Sequence, residues 1–342
     1  MQADYIVLPQ KGRAVIAQEE ISAAPLAPNE AVIRTEASMI SAGTELSRVF
    51  EIKKGFSYPV CPGYCSCGIV LQKGEGLADI EVGQRVFFNA PHASVCRWSR
   101  GTRTQAPCIY PLPDGISAAE GTAANLALVA LSGVNAADVK LGDTVAIFGL
   151  GSIGTITAAL FRKLGARVIA VDPVAARCAE AQAFGASDIV SCPPDGQVEA
   201  VMRLTDGRGV DIAVDVTGSS AAILNEALCC GKYAQLVLLG SPRAALEADV
   251  TPFLSAVHMK NIRVLGAFNE LSPPEPAEGS RLSVRRNFEV FCRLVLSGEL
   301  KVGRLISHVI APEEVEAAYH GLMYDRAHYR CVVIDWSRRA GK

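Results

Sequence analysis

Three glycines at fixed spacing carry the sharpest chemical signal in this chain. They stand as Gly149-x-Gly151-x-x-Gly154 in TVAIFGLGSIGTITAALFRKLGARVIAVD, after an apolar run (Thr144–Phe148) and before a helical stretch. A second apolar run then ends at Asp172. Gly149 permits a tight turn, Gly151 lets the backbone approach a pyrophosphate, and Gly154 lets helix pack on strand. Ser152 and Ile153 open the helix, where unpaired N–H groups and the positive dipole end favour phosphate. A glycine pattern alone is weak and fits a ligand-free turn. Flanked by strand and helix, with an acid about 20 residues on, it reads as a dinucleotide site.

Asp172 selects between dinucleotides. A carboxylate at the end of the second strand accepts hydrogen bonds from the ribose 2′-OH of NAD. Against a 2′-phosphate it sets like charges roughly 4 Å apart, a repulsion of about 4 kcal/mol at an effective dielectric near 20. Arg177, five residues on, softens that repulsion, and Pro173 lies beside it. NAD is the cofactor expected. Two further strand ends, VDVTG with Thr217 and Gly218 and LLGSP with Gly240 and Ser241, supply small residues for the nicotinamide half, or are plain strand-ending turns.

Such a site needs a parallel sheet, and the pattern supplies one. From about Ala118 to Phe268, short apolar runs (TVAIFGL, RVIAVD, VDIAVDV, AQLVLLG, IRVLGAF) alternate with Ala-rich helical stretches. Continuous rather than alternating apolar strands indicate helices on both faces. Before this region, Tyr5 to about Pro113 is strand-like and broken by turns, as in Glu30–Ser41 and Gly83–Phe88. After it, a Pro-rich polar loop leads to a helix (Asn287–Ser297), a strand (Leu305–Ile310), a capped helix and a last strand, YRCVVIDW. That piece is too short to fold alone and should rejoin the N-terminal lobe or cap the sheet.

A chain of 342 residues exceeds what one core comfortably serves, so two packed units are expected. A formal charge of -2 offers no electrostatic footprint for nucleic acid or an anionic membrane. The N-terminus lacks the pattern of a secretory signal, and no apolar run approaches the roughly 18 residues a membrane helix needs. Eleven scattered cysteines read as buried thiols in a reducing compartment, which points to the cytoplasm.

The order of ISAGTE (Ile40–Glu45), PGYCSCGIV (Pro62–Val70), GQRV (Gly83–Val86), KLGDTVAIFGLGSIG (Lys140–Gly154), DGRGVDIAVDVTG (Asp206–Gly218) and LISHVIAPEEVEAAYHGL (Leu305–Leu322) resembles the medium-chain dehydrogenase/reductase superfamily over nearly the whole chain. It is most similar in flavour to zinc-free members related to bacteriochlorophyllide hydroxyethyl dehydrogenases and sugar or polyol dehydrogenases. The resemblance implies an α/β chain: a GroES-like, β-rich catalytic domain from residues 1–121 and 269–342, and an inserted Rossmann doubly wound sheet over 122–268. It also implies a homodimer, with a tetramer as the alternative, formed where edge strands pair across a two-fold axis.

The departures from the family pattern matter as much. Where zinc members carry Cys-Gly-Thr/Ser-Asp, this chain has Ala42-Gly43-Thr44-Glu45, and where they carry Gly-His-Glu it has Gly63-Tyr64-Cys65. The third ligand, due near Ala124–Asn125, and the four-cysteine structural loop are not evident. A three-ligand site stripped of two or three ligands does not hold zinc. Cys61, Cys65 and Cys67, spaced C-x3-C-x-C, read as small buried hydrophobes; a zinc site from Cys65 and His92 is the sharper alternative.

Hydride transfer without metal still needs a group to take or give the hydroxyl proton, a task that contributes about 10²–10⁴-fold. By resemblance Thr44 relays that proton and Glu45 is the acid behind it. Tyr64 puts a phenol where the imidazole stood, able to donate to a carbonyl oxygen. His92 is the sole histidine before the glycine turn. Each has a structural reading: Tyr64 as filler, His92 as a loop histidine, Glu45 paired with Arg48 or another base. The later histidines read as structural. Arg281, Arg285 and Arg286 reach for phosphates or an acidic substrate, or are solvated. Three functions follow: an NAD-dependent, zinc-independent dehydrogenase of a secondary alcohol (polyol, sugar or hydroxyethyl group), a quinone or enoyl reductase, and a non-catalytic dinucleotide-binding protein.

Overall fold

The computed structural model describes residues 1–52, 55–101, 108–242, 244–276 and 282–339. Two compact units emerge, Met1–Asn125 with Pro273–Lys342, and Leu126–Ser272. Both divisions fall four residues beyond the expected 121/122 and 268/269 boundaries.

The first unit begins with a two-stranded antiparallel pair, β1 (Gln2–Val7) and β2 (Val15–Glu20). The long strand β3 (Glu30–Ile40) follows, then helix α1 (Ala42–Val49), β4 (Ser66–Lys73), β5 (Arg85–Phe88), β6 (Val95–Ser99), β7 (Ile109–Pro111) and the single-turn α2 (Ala118–Gly121). Strand β3 pairs with both β4 and β6 and is buried along most of its length, as a central, β-branched strand should be. Helix α1 leaves the end of β3 after one residue, Ser41, so side chains on either side of that junction are held close.

The second unit opens with α3 (Ala124–Ala136), whose first two residues belong to the first unit. Its strands are β8 (Thr144–Phe148), β9 (Arg167–Val171), β10 (Asp188–Val190), β11 (Val210–Asp215), β12 (Cys230–Leu238) and β13 (Arg263–Gly266). They form one parallel sheet in the order β10-β9-β8-β11-β12-β13. Helices α4 (Ser152–Lys163), α5 (Ala175–Ala183), α6 (Pro194–Leu204), α7 (Ser220–Cys229) and α8 (Thr251–Lys260) connect them. The core is small and apolar, with Ala146, Ile169, Ala213 and Leu236 all at zero exposure, which explains why these strands read as unbroken apolar runs.

The chain then returns to the first unit through α9 (Val284–Leu296), β14 (His308–Ile310), α10 (Val315–Tyr324) and β15 (Val332–Asp335). Strand β15 pairs antiparallel with β3, and this completes a sheet ordered β14-β15-β3-β4-β5-β7, with β6 paired to β3. The strand expected over Leu305–Ile310 is half that length. Val302–Leu305 winds instead into a 3₁₀ turn that stacks Val302 and Leu305, both buried, three residues apart on one side. Among the described residues no helix is long and apolar enough to cross a membrane.

Candidate active site

In the second unit, the glycine turn joins β8 to α4 as its spacing requires. Gly149 sits at φ 89°, a conformation that favours glycine, and accepts no side chain without a clash with Thr217. A methyl at Gly154 would lie 1.9 Å from the Gly149 carbonyl oxygen, so helix and turn touch backbone to backbone. A methyl at Gly151 would meet no atom within 4 Å. That open space lies at the N-terminus of a 12-residue helix, with Ser152 and Ile153 half-buried behind it. The cradle therefore fits a pyrophosphate.

Asp172 is 3% exposed and anchors the turn. Its Oδ2 accepts from Leu150 N at 2.8 Å and its Oδ1 from Val174 N at 2.8 Å. A carboxylate has about four lone-pair positions, so two remain for ribose hydroxyls. The Arg177 guanidinium stands 3.7 Å from Oδ2, and its buried Nε has no hydrogen-bond partner among the described residues. Pro173 is exposed beside them.

The remaining expected cofactor residues are organised by one that the sequence reading passed over, Asp215. Fully buried at the end of β11, it accepts from Thr217 N at 2.8 Å, Thr217 Oγ1 at 2.6 Å and Gly218 N at 3.2 Å. Its carbonyl receives Gly240 N at 2.8 Å. A methyl at Gly218 would lie 2.4 Å from Ser241 O, so the two strand-end loops are packed together.

The catalytic candidates lie in the first unit and separate into two layers. Tyr64 and Thr44 form the outer one. Tyr64 Oη donates to Thr44 Oγ1 at 3.1 Å and shares a very short hydrogen bond with Ser41 Oγ. Thr44 is exposed and Tyr64 half-buried. Burial above all, with the neighbouring Cys65 thiol second, pushes the Tyr64 phenol up, while its bonds to Ser41 and Thr44 pull the other way.

Glu45 and His92 form the inner layer, at 1% and 0% exposure. Glu45 Oε2 receives Tyr319 Oη at 2.6 Å and His92 Nε2 at 3.0 Å, and its Oε1 receives Ser41 N at 2.7 Å. Trp336 Nε1 donates to Ser38 Oγ at 3.0 Å, and Ser38 Oγ lies 2.9 Å from His92 Nδ1. Donor bookkeeping fixes the tautomer: the Ser38 hydroxyl donates to Nδ1, which leaves Nε2–H for Glu45. Burial first, then the adjoining Glu45 charge, drives the Tyr319 phenol well up. Glu45 is thus held by His92, Tyr319 and Ser41, whereas Arg48 lies over the Phe56 ring, 5.9 Å from its centroid. Of these side chains, Thr44 and Tyr64 are the ones that reach the surface.

Ser41, Tyr319, Ser38 and Trp336 were not singled out from sequence. All four stood in quoted stretches, but Tyr319 and Trp336 lie 274 and 298 residues from their partners, and Ser38 carries no local pattern. Among the arginines after the Pro-rich loop, Arg285 bonds Asp79 at 3.0 Å, pairs with Glu275 and covers Tyr110, so it ties the first unit together. Arg286 is exposed, and Arg281 lies outside the described residues.

This donor set does not fit a tetrahedral zinc ion. Ala42 offers a methyl, the Tyr64 hydroxyl is engaged by Ser41 and Thr44, and both His92 nitrogens are taken. Among the described residues, no cluster of three or more His, Cys, Asp or Glu side chains could hold a metal. Cys65 and Cys67 are wholly buried, and burial drives both thiols well up.

Fold and site define a two-unit dehydrogenase with a dinucleotide-binding parallel sheet. The family model described as the alcohol dehydrogenase GroES-like domain matches residues 27–134, and that described as zinc-binding dehydrogenase matches residues 152–279. The chain belongs to the medium-chain dehydrogenase/reductase superfamily, and it is an oxidoreductase acting on alcohols. An alcohol dehydrogenase of Cupriavidus necator is 26% identical over 93% of this chain and 94% of its own length. D-guloside 3-dehydrogenase of Escherichia coli is 27% identical over 71% of this chain and 68% of its own. The crystal structure of galactitol-1-phosphate dehydrogenase from Escherichia coli superimposes with a TM-score of 0.81 at 20% identity, covering 97% of this chain and 99% of that one.

Proposed function

We propose that the protein is a zinc-independent, NAD(H)-dependent oxidoreductase that interconverts a secondary alcohol and a ketone, on a polyol, a sugar or a hydroxyethyl group. The observation that carries this reading is the Tyr64 hydroxyl, bracketed by Ser41 and Thr44, at the position where zinc relatives place an imidazole ligand. Relatives named for D-guloside 3-dehydrogenase and 2-dehydro-3-deoxy-L-galactonate 5-dehydrogenase support a sugar or polyol. Asp172 supports NAD over NADP, since its negative charge would face a 2′-phosphate.

Gly151, the first turn of α4, Asp172 and Arg177 would hold the dinucleotide, and Thr217, Gly218, Gly240 and Ser241 its nicotinamide half. When bound, that cofactor supplies or accepts the hydride. Tyr64 does the proton work. In ketone reduction its O–H turns from Thr44 to the substrate carbonyl oxygen and donates, and the phenolate is reprotonated from water, to which Thr44 is open. In alcohol oxidation the same proton returns to Tyr64.

The eleven cysteines, most of them buried, support a reducing compartment, and we place the protein in the cytoplasm. Strand β13 supports a homodimer. It is the open edge of its sheet, with Val264 40% and nearby Phe268 53% exposed, an unpaired template that a second copy would cover. Val264→Lys should then convert a dimer to monomer in size-exclusion chromatography with light scattering. A wild-type monomer would refute that assembly.

The deciding experiment follows nicotinamide absorbance with fructose, dihydroxyacetone, acetoin and a keto-aldonate, each with NADH and with NADPH. Turnover should require NADH, and Tyr64→Phe should lower it by about 10²–10⁴-fold. A full rate in Tyr64→Phe, equal use of NADPH, or no turnover with any ketone or its alcohol would each count against the reading.

A further inference from the structure

Ser41 occupies the N-cap position of α1, yet its side chain makes no capping hydrogen bond. That is anomalous for this residue type, because a serine at a helix N-cap ordinarily turns its hydroxyl onto the free N–H groups of the first turn. The same chain shows the ordinary behaviour elsewhere. Ser117 accepts from Glu120 N at 3.2 Å, Ser219 from Ala222 N at 3.4 Å and Ser283 from Arg286 N at 3.1 Å. Ser41 instead aims its hydroxyl away from the helix, onto Tyr64 Oη.

Something must hold a serine in that pose, and the inner layer does. Glu45, one turn along α1, reaches back to Ser41 N–H, and Thr44 N and Glu45 N both bond to Ser41 O. Glu45 is itself gripped by His92 and by Tyr319, the latter delivered by α10 from the far end of the chain. The backbone of Ser41 is fixed on both sides, at 4% exposure, and only its hydroxyl is free to face the phenol.

We propose that Ser41 is a catalytic residue, whose hydroxyl stabilises the Tyr64 oxygen as that phenol gives up its proton, and that Glu45, His92 and Tyr319 are the positioning residues that keep it there. The proposal rests on the reading of Tyr64 as proton donor. When the substrate carbonyl oxygen takes the Tyr64 proton, the O–H bond breaks and its electron pair stays on Oη. The substrate meanwhile gains the hydride from NADH. The charge on Oη is met by Ser41 Oγ–H, already aimed at it, and by Thr44 Oγ1–H once that hydroxyl turns from accepting to donating. Water then returns a proton to Oη. Among the described residues, the titratable groups near this oxygen are Cys65 and Glu45, with His92, Tyr319 and Arg48 around Glu45. None of them donates to Oη, and among the described residues its hydrogen-bond partners are the hydroxyls of Ser41 and Thr44.

The test compares wild type, Ser41→Ala, Tyr64→Phe and the double variant in NADH-dependent reduction of the same ketone panel, alongside thermal melts. Ser41→Ala should lower kcat by about 10²–10³-fold, with KM and the melting midpoint nearly unchanged, since no cap is lost. In the Tyr64→Phe background it should change nothing further, because the oxygen it serves is gone. Ser41→Thr, which keeps the hydroxyl, should recover rate.

An unchanged kcat in Ser41→Ala, beside a large loss in Tyr64→Phe, would overturn the proposal and leave the donor reading intact. A lowered melting point with kcat retained would mark Ser41 as merely structural, and an equal loss in both backgrounds would do the same. A full rate in Tyr64→Phe would remove the donor reading itself. One arm needs no substrate: the tyrosine doublet in ultraviolet resonance Raman, taken as wild type minus Tyr64→Phe, reports the hydrogen-bond state of that phenol. Ser41→Ala should shift it, and an unshifted doublet overturns the proposal.

Discussion

Substituting alanine at Gly151 should weaken cofactor affinity by about two orders of magnitude without touching the fold. Gly151 sits at φ -67° and ψ -176°, which any residue adopts, and a methyl there meets no protein atom within 4 Å. Alanine gains about 0.4–1 kcal/mol by restricting the unfolded chain. It loses a comparable amount as the poorer N-cap residue, so net stability should stay within about 0.5 kcal/mol. The empty volume the methyl enters is where a pyrophosphate would approach the first N–H groups of α4. Pushing that group back forfeits one or two charge-assisted hydrogen bonds of about 1.5–3 kcal/mol each. A loss near 3 kcal/mol is about a 150-fold rise in Kd. Gly154→Ala is the control, since its methyl would stand 1.9 Å from the Gly149 carbonyl and must destabilise the unit. NADH fluorescence titration with parallel melts reads both. A Kd within threefold of wild type at an unchanged melting point would refute the placement of the pyrophosphate.

Three further outcomes are expected. Exhaustive treatment with 1,10-phenanthroline should leave turnover unchanged and elemental analysis should find less than about 0.1 zinc per chain; activity restored by added zinc would contradict the donor set around Ala42. Because burial holds the Tyr64 phenol up, the protonated acid persists through neutral pH, so kcat/KM for ketone reduction should be flat from pH 6 to 9 while alcohol oxidation rises about tenfold per unit; a bell centred near neutrality would point to another group. Glu226 is buried with both carboxylate oxygens unpartnered among the described residues, and burial, then Asp215, drives its pKa well up. The folded protein therefore keeps a proton that the unfolded chain releases above about pH 4.3, and stability falls as pH rises from there. Glu226→Met should stabilise the protein at pH 8 by about 1–3 kcal/mol, with the gain shrinking toward pH 4; equal melting points at pH 8 would refute this.

How much was readable in advance divides along the range of the interactions. The glycine turn and the apolar strands of the second unit are local. Gly149, Gly154 and the run Thr144–Phe148 each answer to neighbours a few residues away, and they form as the spacing implies. The return of the C-terminal piece to the first unit was readable too, because so short a segment cannot bury its own apolar faces; β15 on β3 is the result. The polar cluster was not. Glu45 meets His92 47 residues away and Tyr319 274 residues away, and nothing in either local sequence marks that convergence. Ser41 was hidden for a different reason. Its type and place promise a helix cap, and only the fold turns its hydroxyl onto Tyr64 instead. Asp215 escaped because it ends an otherwise apolar strand and looks like the start of a turn.

The arrangement also bears on how such a site can do without a metal. Zinc polarises the substrate oxygen with a full positive charge, worth several kcal/mol in the transition state. On the proposed zinc-independent reading, Ala42 and Tyr64 stand where two ligands would, and a neutral phenol takes the place of that charge. A lone buried phenol would be a poor substitute, because burial resists the negative charge it must carry once its proton is gone. Ser41 answers that difficulty with a donor aimed at the same oxygen, of a kind whose removal elsewhere costs about 2.7–4 kcal/mol, and Thr44, the acceptor at rest, can turn its hydroxyl to join it. Their aim depends on Glu45, and Glu45 is held by His92 and Tyr319. Residues that would sit behind a metal in zinc relatives are thus connected here to a hydroxyl pair. A change at Ala42 alone, to Cys, should therefore not restore metal-dependent turnover while Tyr64, Ser41 and Thr44 still hold one another.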